Sequence, residues 1–178
     1  SDAGNGVGYT GIRIRGTDAT RINVTINGVP VNDAESQGTY YVDMPDLLSS
    51  VNNIQVQRGV GASSNGAGAF GATINFQTNQ LKDKPYANLI TSGGSYHTMR
   101  TTVAAGTGLL NGKFTFDARA SKISSDGYID RAKSDLKSYY VAAGYYGKKD
   151  VVKFINFLGS EKTYQAWNYV LEDSVKRG

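Results

Sequence analysis

Few residues in this chain have the types and spacing that enzyme chemistry requires. Gly66, Gly68 and Gly71 match the spacing of a dinucleotide-binding loop, but such a loop must open a helix and be followed by an acidic residue. A β-branched run follows instead, at Thr73–Thr78, so the glycines are interpreted as points where the backbone turns tightly. His97 is the single histidine and Cys is absent, which leaves no catalytic triad and no thiolate or histidine metal site. The sequence therefore predicts neither an enzyme nor a bound cofactor.

Two arginines have positions that suggest a structural role. Arg15 and Arg58 each end a predicted strand and directly precede a glycine. A guanidinium group suits a buried, bidentate pair with a carboxylate, because its donors lie in a rigid fork. A solvated surface arginine is the alternative interpretation at both positions.

A polar and aromatic segment lies between a predicted strand and a predicted helix, at Asn32–Tyr41. Its carboxylate, amide, hydroxyl and phenol groups could hydrogen-bond to a ligand and stack against it. A second polar stretch, Ala62–Asn65, follows the Arg58-Gly59 pair, and an ordinary solvated loop is the alternative for both. The candidate ligand-binding residues are Asp33, Glu35, Gln37, Tyr40, Tyr41, Ser63 and Asn65.

Residues 1–80 predict a small mixed α/β globule that is mostly β. Short apolar or β-branched segments are each followed by turn residues, and Asn27-Gly28 is a favourable reverse turn because both residues tolerate positive φ. A short helix is predicted at Met44–Val51, with Asp43 as its N-cap and Pro45 in its first turn. The predicted strands are Gly11–Arg15, Arg21–Ile26, Asn53–Arg58 and Ala72–Thr78.

Residues 81–178 predict longer strands. In Lys113–Ile123, apolar residues such as Phe114 and Phe116 fall on one face, and polar residues such as Asp117 and Arg119 fall on the other. This period of two is typical of a strand with one apolar and one wet face. The other predicted strands are Tyr86–Ser92, Thr98–Gly106, Lys137–Gly147 and Val151–Ser160.

The connections between these strands alternate in a way that fits an outer-membrane barrel, which has short periplasmic turns and longer external loops. Thr107–Gly112 and Lys148–Asp150 would be periplasmic, and Gly93–His97 and Ser124–Asp135 would be external. The tail Glu161–Gly178 would begin the next external loop. A soluble β-sandwich adhesion or binding module has the same period of two, and periodicity alone favours the sandwich because soluble sheets are commoner.

Charge and hydropathy exclude other partners. Charged residues make up 19% of the chain, the net charge is +4, and the Lys and Arg residues are scattered. No basic run with interleaved aromatic residues is present, so nucleic-acid binding is not predicted. No stretch reaches the roughly 18 apolar residues of a membrane helix. Barrel strands of about 9–11 residues, apolar on one face only, remain compatible with the sequence.

Four motifs, in order along the chain, resemble the signature blocks of TonB-dependent receptor plug domains. Each block alone is weak, but four in order with similar spacing are strong, and they cover nearly all of residues 9–79. The resemblance is to ferric-siderophore receptors of Bacteroidetes type, with Val31–Gly38 between the second block and the predicted helix. The blocks are Ile12–Gly16, Ile26–Pro30, Ile54–Gly59 and Asn65–Phe76.

The resemblance implies a plug domain at residues 1–80, followed at residues 81–178 by about five antiparallel transmembrane strands of a β-barrel. Such receptors close about 22 strands around the plug, so the chain is expected to be a fragment with an incomplete barrel. The early plug and most of the wall would lie outside it. The implied location is the bacterial outer membrane, with lipid and the remainder of its own barrel as partners.

The resemblance also implies active import of a scarce ligand, a ferric siderophore or other iron chelate. TonB would supply energy through an N-terminal segment, and the plug would gate the pore and bind ligand at its external apex through the candidate residues. Arg15 and Arg58 match arginines that pair with barrel-wall glutamates and hold the plug. A glycan or peptide importer with a lipoprotein lid is the alternative within the family.

Overall fold

The computed structural model describes residue 7 and residues 10–60, 70–78 and 80–164. Within these ranges the chain is almost entirely β, and its helical content is limited to three short 3₁₀ turns. None of the helices in the described ranges has the length and hydropathy needed to cross a membrane.

Four strands form a first sheet, here called the plug sheet. Its order is β2-β1-β4-β3, with β1 and β4 parallel at the centre and the two outer pairs antiparallel. The sequence prediction is confirmed for three of these strands, and β2 was not predicted. The strands are β1 Ile22–Ile26, β2 Val29–Pro30, β3 Asn53–Arg58 and β4 Ala72–Gln77.

The centre of the plug sheet is its apolar core. All five residues of β1 are buried, and most of β4 is buried beside them. When parallel strands are covered on both faces, their sequences are nearly continuous runs of β-branched and apolar residues and do not alternate with polar ones. The core consists of Ile22, Val24, Ile26, Leu47, Ala72, Ile74 and Phe76.

The predicted reverse turn at Asn27-Gly28 is confirmed. Asn27 and Gly28 have φ values of 53° and 83°, and they join β1 to β2. The Asn27 side chain also spans two strands, because its amide donates to Thr78 Oγ1 and its carbonyl accepts from the Thr78 backbone N–H, both at 2.9 Å. The turn therefore ties β1 to the end of β4.

The predicted strand at Gly11–Arg15 is wrong. This segment contributes only an isolated bridge between Ile14 and Thr17, which a hydrogen bond from Thr17 N to Ile14 O closes at 3.0 Å. Arg15 and Gly16 both have positive φ, at 53° and 78°. Two left-handed residues in succession reverse the chain, so an extended strand cannot continue through them.

The predicted helix at Met44–Val51 is also wrong in type. Two 3₁₀ turns occupy this region, at Tyr41–Asp43 and Leu47–Ser50, and Asp43 is the end of the first turn rather than an N-cap. Asp46 lies between them with a left-handed φ of 53°, a conformation that cannot continue a right-handed helix. The plug is therefore mostly β, as predicted, with 3₁₀ turns in place of the predicted α-helix.

Five antiparallel strands form a second sheet, here called the wall sheet, in the sequential order β5-β6-β7-β8-β9. The sequence prediction is confirmed for all five, and β7, β8 and β9 extend further than expected. The longest predicted connection shrinks accordingly, because β7 continues to Ser125 and β8 begins at Ser134. The strands are β5 Tyr86–Gly94, β6 Thr98–Gly106, β7 Phe114–Ser125, β8 Ser134–Tyr146 and β9 Val151–Thr163.

The wall sheet is apolar on its exposed face and polar on its buried face. On β7, Phe114 and Phe116 are exposed, whereas Arg119 and Ser121 are buried against the plug sheet. A soluble sandwich requires the opposite arrangement, with apolar residues between its sheets. An outward apolar face is typical of a barrel in lipid. The exposed apolar residues of this face include Leu89, Met99, Val103, Phe114, Phe116, Tyr139, Val141, Tyr145, Val152, Phe154 and Leu158.

The wall sheet is open. β5 and β9 are its edges and have no strand partner on their outer sides among the described residues. An unpaired edge cannot lie in lipid, because its N–H and C=O groups would lack hydrogen-bond partners. The wall sheet is thus an incomplete barrel.

Candidate functional site

The predicted ligand segment forms a compact turn built around Asp33. One carboxylate oxygen of Asp33 accepts from the backbone N–H of Glu35 (3.1 Å), the N–H of Ser36 (2.7 Å) and the Ser36 hydroxyl (2.9 Å). Hydrogen bonds to the charged form favour ionisation, so the Ser36 bonds hold the pKa of Asp33 below its usual value. Asp33 therefore organises the turn and keeps its negative charge.

Asn32 anchors this turn to the plug sheet. Its side chain accepts from the N–H of Val24 at 2.7 Å and donates to the carbonyls of Ile22 and Gln37, each at 2.9 Å. Asn32 was not among the predicted site residues. Its position directly after the second motif was the available signal, since an amide can bond two backbone segments at once.

Most of the predicted ligand residues lie together. Asp33, Glu35, Gln37 and Tyr40 are all exposed on this turn. The Tyr40 hydroxyl donates to Ser36 Oγ at 3.1 Å, and the Gln37 amide donates to the Ala34 carbonyl at 2.9 Å.

Tyr41 lies apart from the turn. It is half-buried against the plug core, and its hydroxyl has no hydrogen-bond partner among the described residues. Burial raises the pKa of Tyr41 to about 12. The two other predicted ligand residues, Ser63 and Asn65, lie outside the described residues.

The two predicted anchoring arginines are exposed. Neither Arg15 nor Arg58 forms an ion pair within the described ranges. Arg58 ends β3, which is the edge strand of the plug sheet. Their pairing with barrel-wall glutamates stays a prediction.

The strongest contact between the plug and the wall was not predicted. It centres on Asp46, whose side chain is 7% exposed. One carboxylate oxygen of Asp46 lies 3.1 Å from Arg119 Nη1 on β7, and the other lies 3.3 Å from Arg100 Nη2 on β6. Two hydroxyls also donate to this carboxylate: that of Thr102 at 3.5 Å and that of Ser121. One plug carboxylate is thus bound by four wall side chains.

Arg119 is itself held in place by the wall. Its side chain is 2% exposed, and Nη2 donates to the Ser138 hydroxyl on β8 at 2.8 Å. Arg100 Nη2 also contacts the hydroxyl of Ser49, in the 3₁₀ turn after Asp46. The sequence placed Arg119 on the polar face of β7, but nothing local pairs it with a carboxylate 73 residues earlier.

A cavity of about 130 Å³, lined by both polar and apolar residues, lies between the plug and the wall. Two hydrogen bonds flank it: the Tyr140 hydroxyl donates to the Thr78 carbonyl at 3.0 Å, and the Tyr86 hydroxyl donates to the Asp117 carboxylate at 2.8 Å. The residues around it include Ser49, Ser50, Asn88, Thr102, Ala104 and Arg119. The inner face of the wall is therefore polar beside the plug.

The plug also contacts β9 sterically. A Cβ placed at Gly159 would overlap the ring of Pro45 and lie 3.4 Å from the carbonyl oxygen of Asp43. Only glycine allows the plug backbone to approach the wall this closely.

Polar and aromatic contacts join two of the turns between wall strands. Nδ1 of His97 lies 2.8 Å from the Asp126 carboxylate, and Lys133 Nζ lies 3.5 Å from its other oxygen. The rings of Tyr96 and Tyr128 meet edge to face at 5.6 Å. The His97 hydrogen bond and the Lys133 charge hold the pKa of Asp126 below its usual value.

No group of three or more His, Cys, Asp or Glu residues suited to a metal ion occurs in the described ranges.

Comparisons with known proteins agree with this architecture. Residues 1–73 match the family model of the TonB-dependent Receptor Plug Domain. Among curated proteins, none matches the sequence significantly.

Several solved structures share the fold. The pyoverdine outer membrane receptor FpvA from Pseudomonas aeruginosa superposes with a TM-score of 0.65 at 18% identity, covering 87% of this chain and 22% of that one. The copper transporter OprC gives 0.70 at 19% identity, covering 90% and 27%. The ferric yersiniabactin uptake receptor FyuA from Yersinia pestis gives 0.67 at 15% identity, covering 89% and 26%.

The chain spans about a quarter of the length of these proteins. Its plug sheet and open wall sheet together reproduce the corresponding part of their fold. Residues 1–73 therefore match the plug domain of TonB-dependent receptors, and the chain as a whole has the fold of the corresponding part of these receptor structures.

Proposed function

We propose that the receptor containing this chain imports a scarce ligand, a ferric siderophore or other iron chelate, across the bacterial outer membrane. The observation that carries the proposal is the inverted wall sheet, polar towards a plug and apolar on its exposed face. A soluble binding module would have no use for an apolar exterior of this size.

Each face of the wall has a role in this proposal. The apolar face contacts lipid, and the polar face surrounds an aqueous lumen that the plug blocks at rest. Further strands of the same barrel pair with β5 and β9 and remove the open edges. TonB pulls on a segment preceding the described plug, so the energy comes from this partner rather than from nucleotide hydrolysis.

The turn around Asp33 is the proposed ligand contact. It presents carboxylate, amide and phenol groups of Asp33, Glu35, Gln37 and Tyr40 to solvent at one place. Such groups can hydrogen-bond to a chelate and stack on its aromatic rings. Ser63 and Asn65 are proposed to contribute to the same ligand site.

The similarity to a pyoverdine receptor and a ferric yersiniabactin uptake receptor supports an iron chelate as cargo. The similarity to a copper transporter makes copper the first competitor to test. Arg15 and Arg58 are proposed to anchor the plug to glutamates in other barrel strands.

The test is cargo accumulation by cells that produce the complete receptor or lack its gene. Radioactive iron is supplied as a panel of ferric siderophores, with copper and oligosaccharides offered in parallel. We expect iron accumulation from at least one siderophore to depend on the receptor. Receptor-dependent uptake of oligosaccharide or peptide, without any iron uptake, would replace the cargo with that of the lidded importers.

A further inference from the structure

Four donors on the wall converge on a single point facing the plug. Arg100 and Thr102 lie on β6, and Arg119 and Ser121 lie on β7. These four residues, here called the anion patch, all donate to the carboxylate of Asp46. Two guanidinium groups and two hydroxyls around one carboxylate form a site for an anion.

We propose that the anion patch is a binding site for an anionic solute in transit, and that Asp46 occupies it at rest as an internal substitute. The proposal rests on the proposed import function. The transported solute would then carry a carboxylate or phosphate group, and the anion patch would bind that group.

The first argument is the cost of leaving the patch empty. Arg119 is 2% exposed, and removing one member of a buried ion pair leaves an uncompensated charge. Any motion that admits a solute between plug and wall carries Asp46 away from Arg100 and Arg119. An anion that takes its place compensates both guanidinium groups.

The second argument is the adjoining space. The cavity between plug and wall reaches Arg119, Thr102 and Ser50. Arg119 Nε and the Ser50 hydroxyl are buried without a hydrogen-bond partner among the described residues. A volume of 130 Å³ is several times the roughly 30 Å³ that a water molecule takes up in the liquid. The arginine therefore has both an unused donor and room beside it for a small anionic group.

The third argument is the weakness of the segment that carries Asp46. It consists of two 3₁₀ turns separated by Met44–Asp46, of which Asp46 is left-handed. Such turns have poorer hydrogen-bond geometry than an α-helix. Release of Asp46 therefore requires rearrangement of a short irregular segment, while the central strands of the plug sheet stay intact.

Adjacent alanines on β6 provide a matched test. Ala104 pairs with Arg119 across the sheet and borders the cavity, whereas Ala105 is exposed on the opposite, apolar face. The chain contains no Cys, and any cysteine elsewhere in the receptor is first replaced by serine. Ala104→Cys and Ala105→Cys receptors are produced in cells with and without TonB. The cells are supplied with a ferric siderophore and are then treated with an anionic or a cationic methanethiosulfonate of similar size.

We expect Ala104→Cys to be labelled only when TonB is present, and Ala105→Cys to stay unlabelled. Each reagent's rate at Ala104→Cys is divided by its rate with a free thiol. The ratio of the anionic to the cationic reagent should then be about ten, because a positively charged cleft concentrates anions. Arg100→Gln should bring this ratio towards one, and Arg100→Lys, which keeps the charge, should preserve it. Arg100 is chosen because it is 35% exposed and its loss threatens folding less than loss of Arg119.

The inference is overturned, while iron import stands, if Ala104→Cys is unlabelled during TonB-dependent uptake or if Arg100→Gln leaves the reagent ratio unchanged. Labelling of Ala104→Cys that is the same without TonB would also overturn it. Absence of TonB-dependent uptake would remove the proposed function, and the inference with it.

Discussion

The carboxylate of Asp46, carried by the plug, lies 3.1 Å from the guanidinium of Arg119 on the wall. Both side chains are buried, and this ion pair is the centre of the polar contacts between the plug and the wall sheet, which shares no backbone ladder with the plug sheet. The pair therefore fixes the left-handed backbone at Asp46, just before the 3₁₀ turn Leu47–Ser50, against the wall.

Breaking this ion pair should destabilise the complete receptor strongly. Asp46→Asn leaves the buried Arg119 charge without its carboxylate partner, which costs about 3–5 kcal/mol. The measurement is the urea concentration at the midpoint of plug release, which is detected by the plug's sensitivity to protease. Lys122→Gln is the control, because the Lys122–Asp135 pair is exposed and 3.9 Å apart, and such pairs contribute about 0–1 kcal/mol. Equal midpoints for Asp46→Asn and Lys122→Gln would contradict a central role for the buried pair.

A side chain at Gly159 should loosen the plug. In Gly159→Val the new atoms would overlap the Pro45 ring, and overpacking of this kind costs about 1–3 kcal/mol. Increased leakage of large antibiotics through the outer membrane would report the change. Gly93→Ala is the control, since the nearest atom to a Cβ there lies at 3.9 Å. Leakage that is the same in both variants would show that the Gly159 contact is dispensable.

Removing the carboxylate of Asp33 should weaken ligand binding about tenfold or more. Asp33→Ala deletes the acceptor of three hydrogen bonds within the turn, so the exposed groups of Gln37 and Tyr40 lose their arrangement. Titration calorimetry of the purified receptor with its ferric siderophore measures the effect. Asp33→Asn should bind more tightly than Asp33→Ala because it retains an acceptor oxygen. An unchanged affinity in Asp33→Ala would remove this turn from the binding site.

Tyr41 should titrate separately from exposed tyrosines. Its pKa is raised by burial to about 12, so the folded state favours the neutral phenol. The resulting contribution to stability is complete below the unfolded pKa of about 10 and is lost as pH rises through about 12. Subtracting the absorbance of Tyr41→Phe from that of the receptor isolates the phenolate of Tyr41. This difference should therefore appear near pH 12. A difference spectrum that appears near pH 10 would contradict the buried position.

Loss of the two exposed arginines should loosen the plug only in the complete receptor. Arg15→Ala and Arg58→Ala remove the proposed partners of glutamates in other barrel strands, and we expect greater urea sensitivity and pore leakage. Lys82→Ala serves as a comparison, because Lys82 lies over the Tyr86 ring of the same chain. Unchanged urea sensitivity and leakage in the arginine variants would assign Arg15 and Arg58 to the solvated surface.

The strands could be predicted because their patterns are local. Alternation identified β7 and its two faces, and β-branched runs identified β1 and β4. The Met44–Val51 segment could not be predicted, because its conformation depends on Asp46 binding to residues on β6 and β7. Composition indicated a polar, exposed segment at Asn32–Tyr41, but the architecture of its turn depends on Asn32, whose partners include Val24 and Ile22. Long-range polar contacts of this kind leave no periodic signal.

Import through the plugged barrel is proposed to depend on TonB. The rate of radioactive iron accumulation from a ferric siderophore tests this directly, in cells that produce the complete receptor with and without TonB. We expect equal siderophore binding at the cell surface in both strains, and accumulation inside only the strain with TonB. Equal accumulation in both strains would show that the receptor does not depend on TonB and would contradict the proposed function.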